Sequence, residues 1–200
     1  MTTDGRPLGR RERNKLDKLE RITAAAGELF AERGVDDVTT QEIADRADIG
    51  TGTLFLYAKT KGELLLLVQN SMYETALEEG RAASAEATGA LDGVLAVLRP
   101  VVACNRKQVE NGRTYLREMV FGDPQEPRHA EALKLTSQTQ DLVADVIDRE
   151  TAATADTARA LAQVVSAIMF TTMAASVNAS LSDDEIVEQV RAQVSVVLPA

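Results

Sequence analysis

Residues 39–57, with the sequence TTQEIADRADIGTGTLFLY, decide the fold of this chain. Thr39 and Glu42 have the spacing of a capping box, which starts a helix by satisfying its free backbone amide groups. Gly50 tolerates unusual backbone angles and is expected to end that helix in a tight turn, after which a second short helix resumes with Leu54 facing inward. Two short helices joined in this way form a helix-turn-helix, and that motif indicates DNA binding.

A third helix has to lie behind these two, because helices of about two turns each cannot bury enough surface by themselves. Residues 14–33 supply it, with an apolar stripe at helical spacing and Gly34 as the expected C-terminal stop. We therefore expect a helix-turn-helix domain at residues 14–60 and a second, helical domain at residues 61–200.

The remaining sequence favours helices throughout. Apolar residues recur at three- and four-residue spacing and alternating β patterns are nearly absent, so the chain is predicted to be all-α with about nine helices. Capping boxes start helices at Thr60 and Ser182, Pro127 suits the first turn of another helix, and Gly80 is an expected helix end. A helix over residues 157–179 is apolar or small on nearly every side, which requires burial on several faces.

The net charge of −9 is unevenly distributed along the chain. Residues 1–63 carry 11 Lys and Arg against 12 Asp and Glu, whereas residues 64–200 carry 11 against 19. The first 21 residues reverse the balance, with seven Lys and Arg against four Asp and Glu. We therefore predict a flexible basic arm at residues 1–13 that is able to reach a minor groove or phosphates. An ordinary solvated tail is the alternative.

Residues 39–65 resemble the N-terminal DNA-binding domain of the TetR family of bacterial transcriptional regulators. The family's residues recur here in order and spacing as Thr39-Thr40, Ile43-Ala44, Gly52-Thr53-Leu54-Phe55 and Lys61. The chain departs from the family pattern at Gly50, where a serine-like cap is common, and at Ala58, where a bulkier apolar residue is common. Beyond about residue 70 the resemblance is one of size and helix count. It implies a homodimer whose C-terminal domain binds a ligand and dimerises.

The second helix of a helix-turn-helix places its N-terminal residues against base edges, while neighbouring groups hold phosphates. Thr51 and Thr53 are therefore expected to face the major groove of a double-stranded operator. Gly52 permits close backbone approach, and Leu56 is able to touch a thymine methyl group. Tyr57 and Lys61 are expected to bind phosphates, as are Thr40 and Gln41 at the exposed N-terminus of a helix, and Thr39 is the cap of that helix. The predicted DNA-binding set is therefore Thr39, Thr40, Gln41, Thr51, Gly52, Thr53, Leu56, Tyr57 and Lys61.

The C-terminal domain offers a pocket rather than a reaction centre. Its adaptable apolar and aromatic residues suit a small, mainly apolar effector, with Asn105 as the polar anchor. The predicted ligand-binding residues are Leu98, Val102, Asn105, Tyr115, Met119, Phe170 and Met173. One small domain cannot cover the apolar helix at residues 157–179, so the last two helices are expected to form a two-fold dimer interface through Leu161, Val165, Ile168, Val190 and Val194. Ordinary core packing of the same residues is the alternative.

Composition argues against several other classes of protein. One His, one Cys and no glycine-rich phosphate loop provide neither a nucleophile–base arrangement nor a metal-ligand cluster, so we predict no enzyme, no metal site and no cofactor. No apolar run reaches the roughly 20 residues of a membrane span, and the expected location is the cytoplasm, without membrane association.

The sequence thus predicts a repressor that binds a palindromic operator as a homodimer and is released by a small effector, through movement of the helix that begins at Thr60. Two alternatives stay open. One is a redox-responsive regulator acting through Cys104, because the neighbouring Arg106 and Lys107 are able to lower the pKa of its thiol. The other is a helical protein-interaction module with a vestigial DNA-binding domain.

Overall fold

The computed structural model describes residues 9–199, and over that range it contains nine α-helices, one short 3-10 helix and no β-strand. The all-α prediction is confirmed. The chain divides into two compact units, one ending at Val68 and the other beginning at Gln69. The helices are α1 Arg10–Arg33, α2 Thr40–Arg46, α3 Thr51–Leu54, α4 Lys61–Glu86, α5 Ala90–Arg106, α6 Val109–Phe121, α7 Pro127–Glu150, α8 Ala155–Ala174 and α9 Asp183–Val197, with the 3-10 helix Ser176–Asn178 between the last two.

Helix α1 begins closer to the N-terminus than the sequence predicts. The expectation of a flexible arm over residues 1–13 is wrong for residues 10–13, because Gly9 is the N-cap and its carbonyl oxygen accepts a 3.0 Å hydrogen bond from the N–H of Arg13. Glu12 in the first turn also favours the helix, since a carboxylate there compensates the positive end of the helix dipole. Residues 1–8 of the expected arm lie outside the described residues.

The core of the N-terminal unit is formed by the three helices that the motif requires. Ile22 and Phe30 of α1 pack with Ile43 of α2 and Leu54 of α3, and each of these side chains is less than 2% exposed. Gly34 ends α1 with a φ of 79°, a conformation that glycine adopts without a steric penalty. The short helices of the motif are therefore held by tertiary packing rather than by their own length.

The turn between α2 and α3 differs from the prediction at one position. Asp48, not Gly50, adopts the left-handed conformation, with a φ of 53°. Aspartate tolerates this region better than most residues because its short side chain bonds locally to the backbone. Gly50 is instead the extended N-cap of α3, with φ −72° and ψ 144°, and a Cβ there would meet no atom within 4 Å. Gly50 therefore has no conformational requirement for glycine.

Helix α4 runs through Gly80 to Glu86, so the prediction that Gly80 ends this helix is wrong. A Cβ at Gly80 would lie 2.7 Å from the backbone oxygen of Val97 on α5. The glycine therefore permits close contact between two helices of the C-terminal unit. In that unit α5 packs against α7 and α9, and α8 packs against the same two helices.

Helix α8 ends earlier than the expected residue 179. The side chain of Asn178 donates hydrogen bonds to the carbonyl oxygen of Thr172 at 2.9 Å and to the side-chain oxygen of Gln189 at 3.1 Å. Asn178 thus satisfies a free carbonyl group at the end of α8 and ties it to α9. A single turn of 3-10 helix occupies the last residues of the expected helix.

Three arginine–aspartate pairs connect α5 to α9. The guanidinium of Arg106 is 2% exposed, and its Nε donates to Oδ1 of Asp183 at 3.2 Å, while an Nη donates to the carbonyl oxygen of Leu181. The two more exposed pairs are Arg99 with Asp184 at 2.6 Å and Arg191 with Asp92 at 3.0 Å. A buried guanidinium needs such partners, because an unpaired buried charge is costly.

The predicted capping boxes at Thr39 and Ser182 are both present, and Pro127 occupies the first turn of α7. At Thr60 only half of the box forms. The hydroxyl of Thr60 accepts from the N–H of Glu63 at 3.1 Å, but the Glu63 carboxylate accepts from the N–H of Lys59 at 2.7 Å. Both bonds satisfy backbone N–H groups at the start of α4.

The Thr39 capping box gives the N-terminal unit an acid-sensitive contribution to stability. Hydrogen bonds from the backbone N–H and the hydroxyl of Thr39, both 2.8 Å long, and from Arg33 lower the pKa of Glu42 from 4.5 to about 2. Because the folded pKa lies below the unfolded value, this stabilisation is fully present above about pH 4.5 and is lost as the pH falls through about 2.

We therefore expect Glu42→Gln to lower the melting temperature at pH 7, and the difference from wild type to shrink steadily between about pH 4.5 and pH 2. Circular dichroism melts of both proteins across this range would measure it. A difference that does not change with pH would show that the ionised carboxylate contributes nothing.

Candidate nucleic-acid interface

The second helix of the motif and the turn that follows it present the expected base-reading residues at the surface of the N-terminal unit. Leu56 is 82% exposed, Gly52 is exposed, and Thr51 and Thr53 are half-buried. Leu54, between them in sequence, is fully buried. Leu54 therefore anchors the helix on the core while its neighbours are left available to a ligand such as a groove of DNA.

Two residues of the predicted DNA-binding set are bonded to each other. The hydroxyl of Thr51 donates to Oε1 of Gln41 at 2.6 Å, and Nε2 of Gln41 donates to Oδ1 of Asp45 at 2.7 Å. These bonds link α2 to α3 and fix the orientation of the Gln41 amide. Thr40, the first residue of α2, is half-buried, and Thr39 forms the cap described above.

The two expected phosphate binders near the start of α4 both contact backbone carbonyl groups of their own unit. The ammonium group of Lys61 donates to the carbonyl oxygens of Val35 at 3.1 Å and Asp36 at 2.9 Å. The hydroxyl of Tyr57 lies 3.5 Å from the carbonyl oxygen of Lys15, at the outer limit of a hydrogen bond. Lys61 thus has one of its three hydrogens left for another acceptor.

Comparison with known proteins identifies this arrangement. Residues 22–68 match the family model described as bacterial regulatory proteins, tetR family. The N-terminal unit is a TetR-family DNA-binding domain. Over 51 residues the chain is also 37% identical to an uncharacterised HTH-type transcriptional regulator of Haemophilus influenzae. That match covers 26% of this chain and 27% of the relative.

Solved structures of TetR-family regulators share the fold of the whole chain. Thermus thermophilus FadR, a TetR-family repressor in complex with lauroyl-CoA, is 20% identical with a TM-score of 0.68, and the match covers 89% of this chain and 92% of that one. A TetR regulator from Rhodococcus sp. RHA1 is 18% identical with a TM-score of 0.71, covering 92% and 97%. Bacillus subtilis FadR in complex with stearoyl-CoA is 16% identical with a TM-score of 0.61, covering 90% and 97%. The fold of this chain is similar to that of these regulators.

The C-terminal unit buries most of the residues that the sequence predicts to bind an effector. Leu98, Val102, Tyr115 and Met173 are buried, whereas Met119 and Phe170 are half-buried. The structure therefore presents these two at least partly to solvent, while the other four are packed within the unit.

The polar groups of the predicted effector set are already bonded inside the protein. Nδ2 of Asn105 lies 3.4 Å from the carbonyl oxygen of Gly112, and the hydroxyl of Tyr115 donates to Oδ1 of Asn70 at 3.0 Å. Burial raises the pKa of Tyr115 well above its usual range, so its hydroxyl stays a neutral donor. An effector that used Asn105 as a polar anchor would have to compete with Gly112.

A surface groove between α6 and α8 was not apparent from the sequence. Its volume is about 300 Å³, and its apolar lining includes Leu116, Phe121 and Phe170. Arg113 and Arg117 add two cations at the i, i+4 spacing that places side chains on one helix face. That spacing, together with apolar residues on the same helix, was the available signal in the sequence. The groove combines an apolar surface with these two arginines, and it also contains Glu110, which pairs with Arg113 at 3.2 Å.

Three residues of the expected TetR-type dimer interface belong to the core instead. Val165, Val190 and Val194 are each 0% exposed, because they fill the space where α8 and α9 pack against their neighbours. Their assignment to a dimer interface is therefore wrong. Leu161 and Ile168 are half-buried. Apolar stripes at helical spacing do not distinguish the two faces of a helix that is apolar nearly all round.

The expectation of a lowered pKa at Cys104 is wrong. Burial raises the pKa of its thiol from 9.0 to about 11, and the opposing effect of Lys107 is smaller. Arg106 is instead paired with Asp183 at 3.2 Å. A thiol with a raised pKa is a poor nucleophile at neutral pH, which gives the redox alternative no support.

Within residues 9–199, no group of three or more His, Cys, Asp or Glu side chains is placed to hold a metal ion. The helices of the same residues are too short or too polar for any of them to cross a membrane.

Proposed function

We propose that this protein is a transcriptional repressor that binds a palindromic operator as a homodimer and is released by a small, mainly apolar effector. The observation that carries the proposal is the exposure of the residues around the recognition helix. Leu54, the last residue of that helix, is fully buried, whereas Leu56 in the turn directly after it is 82% exposed and Thr51 and Thr53 are half-buried. This geometry suits a helix that lies in the major groove with its N-terminal residues against base edges. A two-fold dimer of such domains requires a palindromic site.

We place the dimer interface on the outward faces of α8 and α9. Val164 of α8 is 43% exposed and Val196 of α9 is 82% exposed, and the half-buried Leu161 and Ile168 lie on α8 as well. Exposed aliphatic side chains on two adjacent helices favour burial against a second copy, because burial of apolar surface drives association.

We propose that the effector is an amphiphile with an anionic head group, such as an acyl-CoA. The α6–α8 groove supports this class, since Phe121 and Phe170 suit an acyl chain and Arg117 suits a phosphate or carboxylate group. Arg113 adds a second cation once it exchanges its partner Glu110 for the ligand. Two similar structures, the FadR proteins of Thermus thermophilus and Bacillus subtilis, hold lauroyl-CoA and stearoyl-CoA. The buried members of the predicted effector set, such as Leu98 and Val102, become accessible only if helices separate.

Helix α4 is our candidate for coupling effector binding to DNA release. It runs without interruption from Lys61 to Glu86, and the division between the two units falls inside it, after Val68. A ligand that favours a different position of α4 would misalign the two recognition helices of the dimer. A coupling free energy of about 1–3 kcal/mol is sufficient to reduce operator occupancy.

Fluorescence anisotropy with a duplex from the upstream region of the protein's own gene tests the proposal. Saturating lauroyl-CoA or stearoyl-CoA is expected to weaken binding by about 5-fold to 150-fold, and CoA alone to have little effect. Arg117→Gln is expected to reduce this response without changing ligand-free affinity, whereas Arg159→Gln, an exposed arginine on α8 outside the groove, serves as the matched control. Equal operator affinity with and without an acyl-CoA shown to bind would refute the proposed switch.

A further inference from the structure

The cations of the N-terminal unit fall into two groups, according to whether a carboxylate neutralises them. An arginine already paired with an acid has to exchange that partner for a phosphate, so it releases less counterion-driven free energy on binding DNA. The paired cations are Arg21 with Asp48 at 3.6 Å, Arg33 with Glu42 at 2.9 Å and Arg46 with Glu28 at 2.8 Å. Lys61 is also occupied, since two carbonyl oxygens accept its hydrogens.

The first turns of α1 carry cations without such partners. Among the described residues, no carboxylate lies within 4.0 Å of the charged groups of Arg11, Lys15 or Lys18. The three follow one another at intervals of four and three residues, which places them on one face of the helix. Arg11 and Lys15 are exposed and Lys18 is half-buried. Like charges held on one face repel one another, and a polyanion relieves that repulsion.

This face of α1 borders the recognition helix. The three cations line a single cleft of about 760 Å³ together with Leu56 and Tyr57, and the hydroxyl of Tyr57 lies 3.5 Å from the carbonyl oxygen of Lys15. Asn14 adds a polar amide to the cleft, and Glu12 adds one carboxylate. Three cations against one acid leave the cleft positively charged. The same cleft therefore contains these three unpaired cations and the exposed Leu56, which lies in the turn directly after the recognition helix.

We propose that one sugar–phosphate strand of duplex DNA lies in this cleft, with its phosphates neutralised by Arg11, Lys15 and Lys18 while Leu56 reaches the adjacent bases. The inference rests on the proposed function and deepens it. At a rise of about 1.5 Å per residue, the three side chains spread over roughly 10 Å of α1, which matches about three base-pair steps of 3.4 Å along the duplex axis.

Lys61 has a different role in this assignment. Its bonds to Val35 and Asp36 connect the start of α4 to the α1–α2 loop, 25 and 26 residues away in sequence. It acts as a structural lysine that holds the motif together, and the phosphates are held by α1.

The test measures the affinity of the full-length protein for its upstream duplex and for a random duplex between 50 and 200 mM salt. Arg11→Gln, Lys15→Gln and Lys18→Gln are each expected to reduce the slope of log K against log salt by about 0.9 for each protomer bound, and equally for both duplexes. The triple variant is expected to lose at least about 100-fold in affinity at the low-salt end.

Arg13→Gln is the matched control. It removes the same charge from the same helix, but Arg13 lies about 200° around α1 from Arg11 and from Lys15, and it is not part of the cleft. Its salt slope is expected to stay close to that of wild type. Lys61→Met is expected to lower the melting temperature, because it removes the two bonds to the α1–α2 loop.

Two results would overturn the inference while leaving DNA binding intact. The cleft variants would retain the wild-type slope, as Arg13→Gln does, or the triple variant would retain the wild-type affinity at 50 mM salt. Preference of the wild type for single strands over duplexes would overturn the choice of ligand. A wild type that binds no duplex at 50 mM salt would refute the proposed function itself. Circular dichroism spectra of the cleft variants are expected to match wild type, because Arg11 and Lys15 are exposed.

Discussion

Gly112→Ala is expected to lower the free energy of unfolding of the C-terminal unit by about 3 kcal/mol or more. An added Cβ would collide with the backbone oxygen of Asn105 and would lie 2.7 Å from its side-chain oxygen. Because the obstacle is backbone rather than the end of a flexible side chain, α5 and α6 have to separate. That separation also breaks the bond from Asn105 to the Gly112 carbonyl group, 3.4 Å long.

Urea unfolding followed by circular dichroism measures the effect, and two other glycines calibrate it. Gly52→Ala is the control, since a Cβ there meets nothing within 4 Å, and its midpoint is expected to stay near that of wild type. Gly80→Ala is expected to be intermediate, because its Cβ would lie 2.7 Å from the backbone oxygen of Val97. Coincident midpoints for Gly112→Ala and Gly52→Ala would show that α5 and α6 are not in close contact.

Leu54→Ala is expected to cost about 2–5 kcal/mol of stability in the N-terminal unit and with it most operator binding at 37 °C. Leu54 is fully buried and connects the recognition helix to the core, so its removal leaves a cavity under a helix of only four residues. Such a helix has no stability of its own to compensate for the loss.

Leu56→Ala provides the comparison two residues away. Leu56 is 82% exposed, so its truncation is expected to change stability by no more than about 0.5 kcal/mol and to alter sequence preference instead. Thermal melts and binding to a panel of operator variants separate the two effects. If Leu56→Ala destabilised the protein as much as Leu54→Ala, Leu56 would be part of the core. The recognition helix would then not have the orientation described above.

Most of the fold follows from signals that are local in sequence. The capping boxes at Thr39 and Ser182 and the first-turn position of Pro127 each depend on residues within one helical turn, and the structure contains all three. The other helices follow from the spacing of apolar residues, because a period of about 3.6 residues indicates a helix rather than a strand. The family resemblance of the motif also rests on adjacent residues, and the match over residues 22–68 confirms it.

The site depends on contacts that sequence spacing does not contain. Lys61 is an exposed cation by its sequence, yet the carbonyl groups of Val35 and Asp36 accept its hydrogens. An apolar stripe has the same spacing whether it faces the protomer's own core or a second copy. Sequence spacing alone therefore does not distinguish the three buried valines of α8 and α9 from interface residues. Asp48 took the backbone conformation expected of Gly50 because the choice depends on the packing of both helices.

The ion pairs between α5 and α9 have a consequence for biosynthesis. Arg106 and its partner Asp183 are separated by 77 residues, so at about 5–20 residues per second the ribosome needs roughly 4 to 15 seconds to complete the pair. During that interval α5 has no α9 to cover it, and the nascent C-terminal unit exposes apolar surface to chaperones and proteases. A truncated product that lacks α9 would stay in this state permanently. Until α9 has been made, a nascent copy is therefore exposed to cellular quality control.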